Sequence, residues 1–361
     1  MYISEITFIL GNGFDLACGL KTSYSDIYAG YIKKDVSLSK VLEVFQRELL
    51  AHTENKSKST WSRWSDFEMG LADYAKELSS EKDLLECLED FTRFLQEHLS
   101  REEDSFIKQL NKYADWKRNV LFEVEDSFMS FYNKLPENNS IHFFDAASTT
   151  PVLRYNFLTF NYTRILDNLI GEINRMDQEK KSGTKYCAPL HIHGTLSNGL
   201  TLGVDNLSQL SGLNYSLSEI GKRALIKPYF NAVFDSDRVS QGVETIRNSD
   251  LICAYGLSLG ESDLTWRSAV KQWIQMSPDH HLVFYSHKYS KKTDLTAWRK
   301  TSEEDNAKIE ILILLGFDSG DYEYYLKQIH IPVGESIFNV AKIKRKITQG
   351  SYVAHPPAYS N

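Results

Sequence analysis

The stretch ILGNGFDLACGLKTSY (Ile9 to Tyr24) decides how this chain is read. An apolar, β-branched run, ITFIL (Ile6 to Leu10), stops abruptly at Gly11-Asn12-Gly13, and Gly19 follows. A short apolar run bounded by glycine reads as a buried strand. Ser23-Tyr24-Ser25-Asp26 has the form of a capping box, so a helix starts there. Strand, glycine turn and helix make the opening unit of an α/β sheet. Glycines at such a turn let a pyrophosphate approach backbone N–H groups at a helix start. Equally, they serve a tight strand-to-helix turn with no ligand. The dinucleotide fingerprint GxGxxG needs a further glycine at position 16, where this chain has Leu16.

Downstream, the character changes over residues 35–135. DLLECLEDFTRFLQEHL (Asp83 to Leu99) places Leu84, Cys87, Leu88, Phe91, Phe94 and Leu95 at helical spacing, with little glycine or proline to interrupt. Within WSRWSDFEMGL (Trp61 to Leu71), Trp64, Phe67 and Leu71 share that spacing and would seat this block on the core, with Asp66 and Glu68 facing the pocket or water. The α/β pattern then resumes. Candidate strands are RYNFLTF (Arg154 to Phe160), PLHIH (Pro189 to His193), DLICAYG (Asp250 to Gly256), HLVFYS (His281 to Ser286) and IEILILL (Ile309 to Leu315). Near-continuous apolar strands suit a parallel sheet covered on both faces. Helices are expected over residues 164–175, 236–248, 263–275 and 321–328. The expected architecture is therefore a doubly wound, mostly parallel α/β sheet of Rossmann type. Residues 1–34 and 136–335 form its core, 35–135 a helical insertion and 336–361 a tail.

Composition excludes several classes. The chain has 361 residues, 42% hydrophobic and 25% charged, which is globular rather than disordered. No apolar stretch approaches the roughly 20 residues that span a bilayer, so no membrane partner is expected. A net charge of −7 leaves no overall footprint for nucleic acid; the basic run AKIKRK (Ala341 to Lys346) reads as a solvated face. Cys18, Cys87, Cys187 and Cys253 form no CxxC pair and read as reduced thiols of a cytoplasmic protein. No metal is expected, because His191 and His193 lack evident further ligands.

In an open parallel sheet, ligands bind beyond the carboxyl ends of the strands. The residues there are Gly11, Asn12, Gly13 and Asp15; Asn161, Tyr162 and Thr163; His193 and Gly194; and Gly256, Ser258 and Asp263. Asp15 could reach a ribose or a base, or cap the next turn. Asn161 could hold a water or a ribose hydroxyl through its amide, or serve only as a turn residue. Of the two histidines, His191 is expected to be structural and His193 functional.

The order of these segments resembles the sirtuin-like superfamily, whose GAGxSxxxGIPDFR loop matches Gly11, Gly13 and Gly19 in spacing. Thr159-Phe160-Asn161-Tyr162-Thr163 resembles its Thr-Gln-Asn-Ile-Asp motif, His193-Gly194 its catalytic His-Gly, and Gly256-Leu257-Ser258-Leu259 its later nucleotide loop. More specifically, GNGFDLACGLKTSY, WSDFE, FNYT, LHIHGTL, LGVDN and YGLSLGESD together resemble the AbiH family of phage abortive infection proteins, from the N-terminus to about residue 330. That resemblance implies a role in anti-phage defence, with a partner protein of the defence system conceivable. The sirtuin relationship implies NAD as ligand or substrate.

Departures from the sirtuin pattern narrow the chemistry. Thr163 stands where the pattern has aspartate, Tyr24 where it has arginine, and the four-cysteine zinc module is missing, which disfavours deacylation. What the resemblance then implies is hydrolysis of the nicotinamide–ribose bond. Asn161 would position water or ribose hydroxyls, and His193 would act as general base. The Gly11-Asn12-Gly13 loop would take the pyrophosphate, and Ser258 with Asp263 the adenosine side. The alternative is a protein that binds a nucleotide without cleaving it and acts through protein contacts. A nuclease reading on Asp205, Asp235, Asp237 and Asp263 lacks any recognised metal-ligand spacing. Self-association is compatible with these features, and none of them requires it.

Overall fold

The computed structural model describes residues 4–54, 67–135, 153–180, 184–234, 236–257, 259–260, 263–338 and 340. β1 (Glu5–Leu10) leads through α1 (Gly13–Ala17) to α2 (Tyr24–Tyr31), whose N-cap Ser23 accepts from the Asp26 N–H. Next come α3 (Lys40–Glu54), α4 (Phe67–Tyr74), α5 (Glu81–Lys112) and α6 (Ala114–Ser130). β2 (Arg154–Thr159) and α7 (Ile165–Lys180) return the chain to the sheet. Short strands β3 (Lys185–Tyr186), β4 (Leu190–His191), β5 (Gly194–Thr195) and β6 (Gly199–Leu200) follow. Then come α8 (Glu219–Leu225), α9 (Lys227–Phe234) and α10 (Ser236–Arg247). β7 (Leu251–Tyr255), α11 (Leu264–Met276) and β8 (His281–Tyr285) continue the alternation. α12 (His287–Ser290), α13 (Ala297–Leu314), α14 (Tyr322–Tyr325) and β9 (Ile329–His330) complete it.

The main sheet runs β3-β2-β1-β7-β8-β9, with β4 also on β2, and every pairing in it is parallel. From β1 the chain winds to one side through β2 and β3, then crosses to β7 and winds to the other. The topological switch therefore lies between β1 and β7, the place where doubly wound sheets hold ligands.

Alternation along β1 builds both layers. Ile6, Phe8 and Leu10 enter one hydrophobic cluster with α6, α7 and the end of α5, where Phe8 meets Phe128 and Phe131 edge to face at 4.9 and 5.2 Å. Ile9 faces the opposite cluster with α11 and α13, built around Trp273 and Leu312. Thr7 also turns that way and is buried, its hydroxyl bonded to Ser249 Oγ at 2.6 Å. A third cluster joins α2, α3, α4 and the first half of α5 to Leu200, Leu202, Val204 and Leu225, with Phe67 stacked on Phe91 at 3.9 Å. The helices over residues 40–130 thus serve two layers: α6 and the end of α5 cover the sheet, while the rest roof the segments after β4.

Three sequence expectations change. IEILILL is no strand: residues 309–314 are the last turns of α13, which buries Ile311 and Leu312 and exposes Ile313. The sheet instead ends in the two-residue β9. PLHIH is strand only over Leu190–His191, and His193 lies in the turn that follows. Ile337, Phe338 and Val340, assigned to a tail, are buried in the first cluster. Trp61, Trp64 and Ala341 to Lys346 lie outside the described residues. No helix among the described residues is long and apolar enough to cross a membrane.

Candidate functional site

At the switch point the backbone closes on itself. Gly11 N–H donates to Tyr255 C=O at 3.0 Å, and Gly13 N–H to Gly256 C=O at 2.8 Å. A Cβ on Gly11 would lie 2.6 Å from the Gly256 oxygen, and one on Gly13 2.3 Å from the Gly256 Cα. Gly256 itself has φ +68, a conformation that favours glycine. These glycines are required by two loops in backbone contact. The N–H groups of Gly11 and Gly13, expected to face a pyrophosphate, already have carbonyl partners.

Above this contact lies a cavity of about 200 Å³. Gly11, Asn12, Asp15, Asn161, Thr163, His193, Gly256 and Asp263 line it, together with Tyr24, Glu68, Leu95 and Leu99 from the helical layers. With Tyr162, which also lines it, nine of the residues expected from the strand ends converge. Gly13 is part of the loop contact itself and is not among the residues that line the cavity. Gly194 (φ +82) belongs to the β5–β6 hairpin, where a Cβ would strike Gly199 O at 2.1 Å. Ser258 lies outside the described residues.

One wall is built on Asp15. Its carboxylate accepts from Asn161 Nδ2 at 2.9 Å and from Thr163 Oγ1 at 2.6 Å. Burial pushes the carboxyl up to about 7, against the opposing pull of those two donors. Asp15 thereby holds the loop after β2 in place. With Nδ2 bonded to Asp15, Asn161 keeps its Oδ1 as an acceptor. Asn12 is likewise engaged: Nδ2 donates to Thr22 C=O at 2.8 Å, and Oδ1 accepts from Thr22 Oγ1 at 2.5 Å.

The other wall is an ionic chain. His193 Nε2 lies 3.5 Å from Asp263 Oδ1. Lys227 Nζ lies 3.4 Å from that same oxygen and 2.8 Å from Glu68 Oε2, and the Gly203 N–H donates to Glu68 Oε1 at 3.1 Å. Burial would raise the Asp263 carboxyl, but Lys227 and His193 outweigh it and hold the group at about 2. For Lys227, burial works against the charge, and Glu68, Asp263 and Asp205 more than restore it, so the ammonium persists. Asp263, expected on the adenosine side, stands beside His193 in the structure. An ionised carboxylate at Nε2 favours the tautomer protonated there and leaves Nδ1 as the basic nitrogen.

His191, expected to be the structural one of the two histidines, is engaged at both ring nitrogens. Its Nδ1 contacts Asn161 O and its Nε2 contacts Asp167 Oδ2, both at 2.8 Å. Lys227 was not legible as a site residue, whereas Glu68 was expected to face either the pocket or water, and it lines the cavity. The partners of Lys227 are far off in the chain, and no local signal marks them. Among the described residues, no group of three or more His, Cys, Asp or Glu could hold a metal ion. Asp205, Asp237 and Asp263 thus form no nuclease-type cluster, and Asp235 lies outside the described residues.

Fold and site together define a doubly wound α/β protein with a charged cavity at its switch point, roofed by helices. A family model described as "Bacteriophage abortive infection AbiH" matches residues 7–285. The chain belongs to the AbiH family, which indicates a role in phage abortive infection. No curated protein matches it.

Proposed function

We propose that the cavity is a sirtuin-like site that binds a nicotinamide dinucleotide and that the protein hydrolyses it to nicotinamide and ADP-ribose. The observation that carries this reading is the convergence of two polar constellations on one cavity: Asp15-Asn161-Thr163 and His193-Asp263-Lys227-Glu68. Water attacks the ribose C1′ while the N-glycosidic bond breaks, its electron pair passing to the pyridinium nitrogen. Nicotinamide leaves neutral, and the water proton goes to His193 Nδ1. Positive charge grows on the ribose, so a nearby acceptor set helps more than a strong nucleophile. Asn161 Oδ1 serves as the acceptor for water or a ribose hydroxyl.

The sirtuin pattern carries an aspartate where this chain has Thr163. Here the Asp15 carboxylate, from the turn after β1, accepts from the Thr163 hydroxyl and so brings a carboxyl group to the loop after β2. The Gly11-Asn12-Gly13 loop contributes closeness of approach rather than donors. At about 200 Å³ the cavity is smaller than the roughly 300–1,000 Å³ of typical small-molecule sites. It accommodates the reacting ribose region rather than the whole dinucleotide.

A second reading is binding without turnover. Its support is Glu68, which comes from α4 in the helical layer and is tied to Lys227 in the site. An occupant could thereby be reported to the helices. Incubating the purified protein with NAD and separating the products distinguishes the two: equimolar nicotinamide and ADP-ribose support hydrolysis, and intact NAD with measurable affinity supports binding.

A further inference from the structure

Glu68 reaches the site from outside the sheet. It lies on α4, which buries Phe67, Met69, Leu71, Ala72 and Tyr74 in the third cluster, with Phe67 stacked on Phe91 of α5 at 3.9 Å. Packing on that scale fixes the helix, and with it the carboxylate. From there Glu68 grips two neighbouring segments at once. Val204 N–H donates to Leu225 C=O at 2.8 Å and Lys227 N–H to Val204 C=O at 2.9 Å, which ties the backbone after β6 to the start of α9. Glu68 accepts from the Gly203 N–H with Oε1 at 3.1 Å and from the Lys227 ammonium with Oε2 at 2.8 Å. Both charged residues are buried, so water screens their interaction little.

Two donors meet on one oxygen beyond this grip. Lys227 Nζ and His193 Nε2 both approach Asp263 Oδ1, at 3.4 and 3.5 Å. The ammonium sits nearer to Glu68 than to Asp263. Glu68, Lys227 and Asp263 together present one net negative charge beside His193, with Asp205 close to the same group. The rings of Phe160 and Tyr162 flank the imidazole at 5.1 and 6.3 Å and limit its rotation. Removing the Glu68 charge alters that balance. A buried ammonium that loses its nearer counter-ion is drawn onto Asp263, to the distance of about 2.7–2.9 Å usual for a charge-assisted bond. The pair is then neutral, and Nε2 loses the negative acceptor that favours a proton there. We propose that Glu68 is a positioning residue: from the helical layer it holds the Lys227 ammonium back from Asp263 and thereby keeps the His193 proton on Nε2. Its consequence for rate rests on the reading of His193 as general base; the positioning itself does not.

The test is nitrogen NMR of the histidine-labelled full chain, in which the chemical shift separates a protonated from a bare ring nitrogen. Wild type should carry the His193 proton on Nε2. Glu68→Gln keeps the shape and an acceptor for the Gly203 N–H; it should lose that preference and approach an even mixture of the two tautomers. Glu68→Asp, with the charge on a shorter arm, should fall between. Combining Glu68→Gln with Lys227→Met removes the competing cation and should return the proton to Nε2, a rescue that a purely structural role of Glu68 would not produce. Circular dichroism checks the fold of each variant. A wild-type proton on Nδ1, tautomers unchanged in both single Glu68 variants, or a double variant no different from Glu68→Gln would overturn the proposal. Wild type that releases no nicotinamide from NAD would remove the hydrolase reading and leave the tautomer result standing, so the two fail separately.

Discussion

Asn161 donates from Nδ2 to Asp15 Oδ1 at 2.9 Å, which locks the loop after β2 to the turn after β1 inside a single cavity. Because Asp15 is buried and its carboxyl stands near 7, this contact couples stability to pH. The folded state holds the proton to about 7, whereas the unfolded chain releases it near 3.8. The stabilisation is complete below about 4 and is lost as pH rises towards and through 7. A shift of this size corresponds to about 4 kcal/mol at most. Urea unfolding at pH 5 and pH 8 should show the decline, and Asp15→Asn should flatten it. A wild type equally stable at both values, after correction for other groups, would contradict the assignment.

The same titration carries a catalytic consequence. If ionised Asp15 supports a developing ribose cation, NAD cleavage should rise with pH through about 7, where stability is falling. Asp15→Asn should lower the rate above pH 7 and remove that limb of the profile. A profile unchanged by the substitution would confine Asp15 to holding Asn161.

Lys227 sits between two buried carboxylates, so removing it strands both. Lys227→Met should cost about 3–5 kcal/mol, the penalty of uncompensated buried charge. Adding Glu68→Gln should recover part of that loss, and a double-mutant cycle measured by thermal or urea unfolding gives the coupling. Additive effects of the two substitutions would mean that the pair is not formed.

The glycines separate backbone need from ligand need. Gly13→Ala places a methyl 2.3 Å from Gly256 Cα and should destabilise by at least about 2 kcal/mol. Gly171 lies exposed inside α7 with nothing within 4 Å of an added Cβ. Gly171→Ala should therefore stabilise by about 1 kcal/mol. Denaturation midpoints of both variants check the contrast, and a harmless Gly13→Ala would break the loop-contact explanation.

Legibility in the sequence followed the range of the interactions involved. β1, β2, β7 and β8 could be read because each is a short apolar run with a turn at its end, a local signal. IEILILL has the same composition, yet it belongs to a helix that starts at Ala297 in the charged stretch before it; a run of seven apolar-rich residues does not separate the two states. β9 spans two residues, too short for any periodicity. At the site, strand-end position was enough to collect Asn161, His193 and Asp15. It could not reveal that Asp15 would turn inward onto Thr163, or that Lys227 would reach Glu68 across 159 positions. Such pairs are set by tertiary packing, and one sequence alone does not record them.

The most direct test of the central claim is product analysis with wild type and His193→Ala, both checked for an unchanged fold by circular dichroism. Wild type should convert NAD to equimolar nicotinamide and ADP-ribose, and His193→Ala should be slower by roughly 10²–10⁴-fold, the usual contribution of a general base. Equal rates in the two proteins, or no nicotinamide from either, would contradict the account.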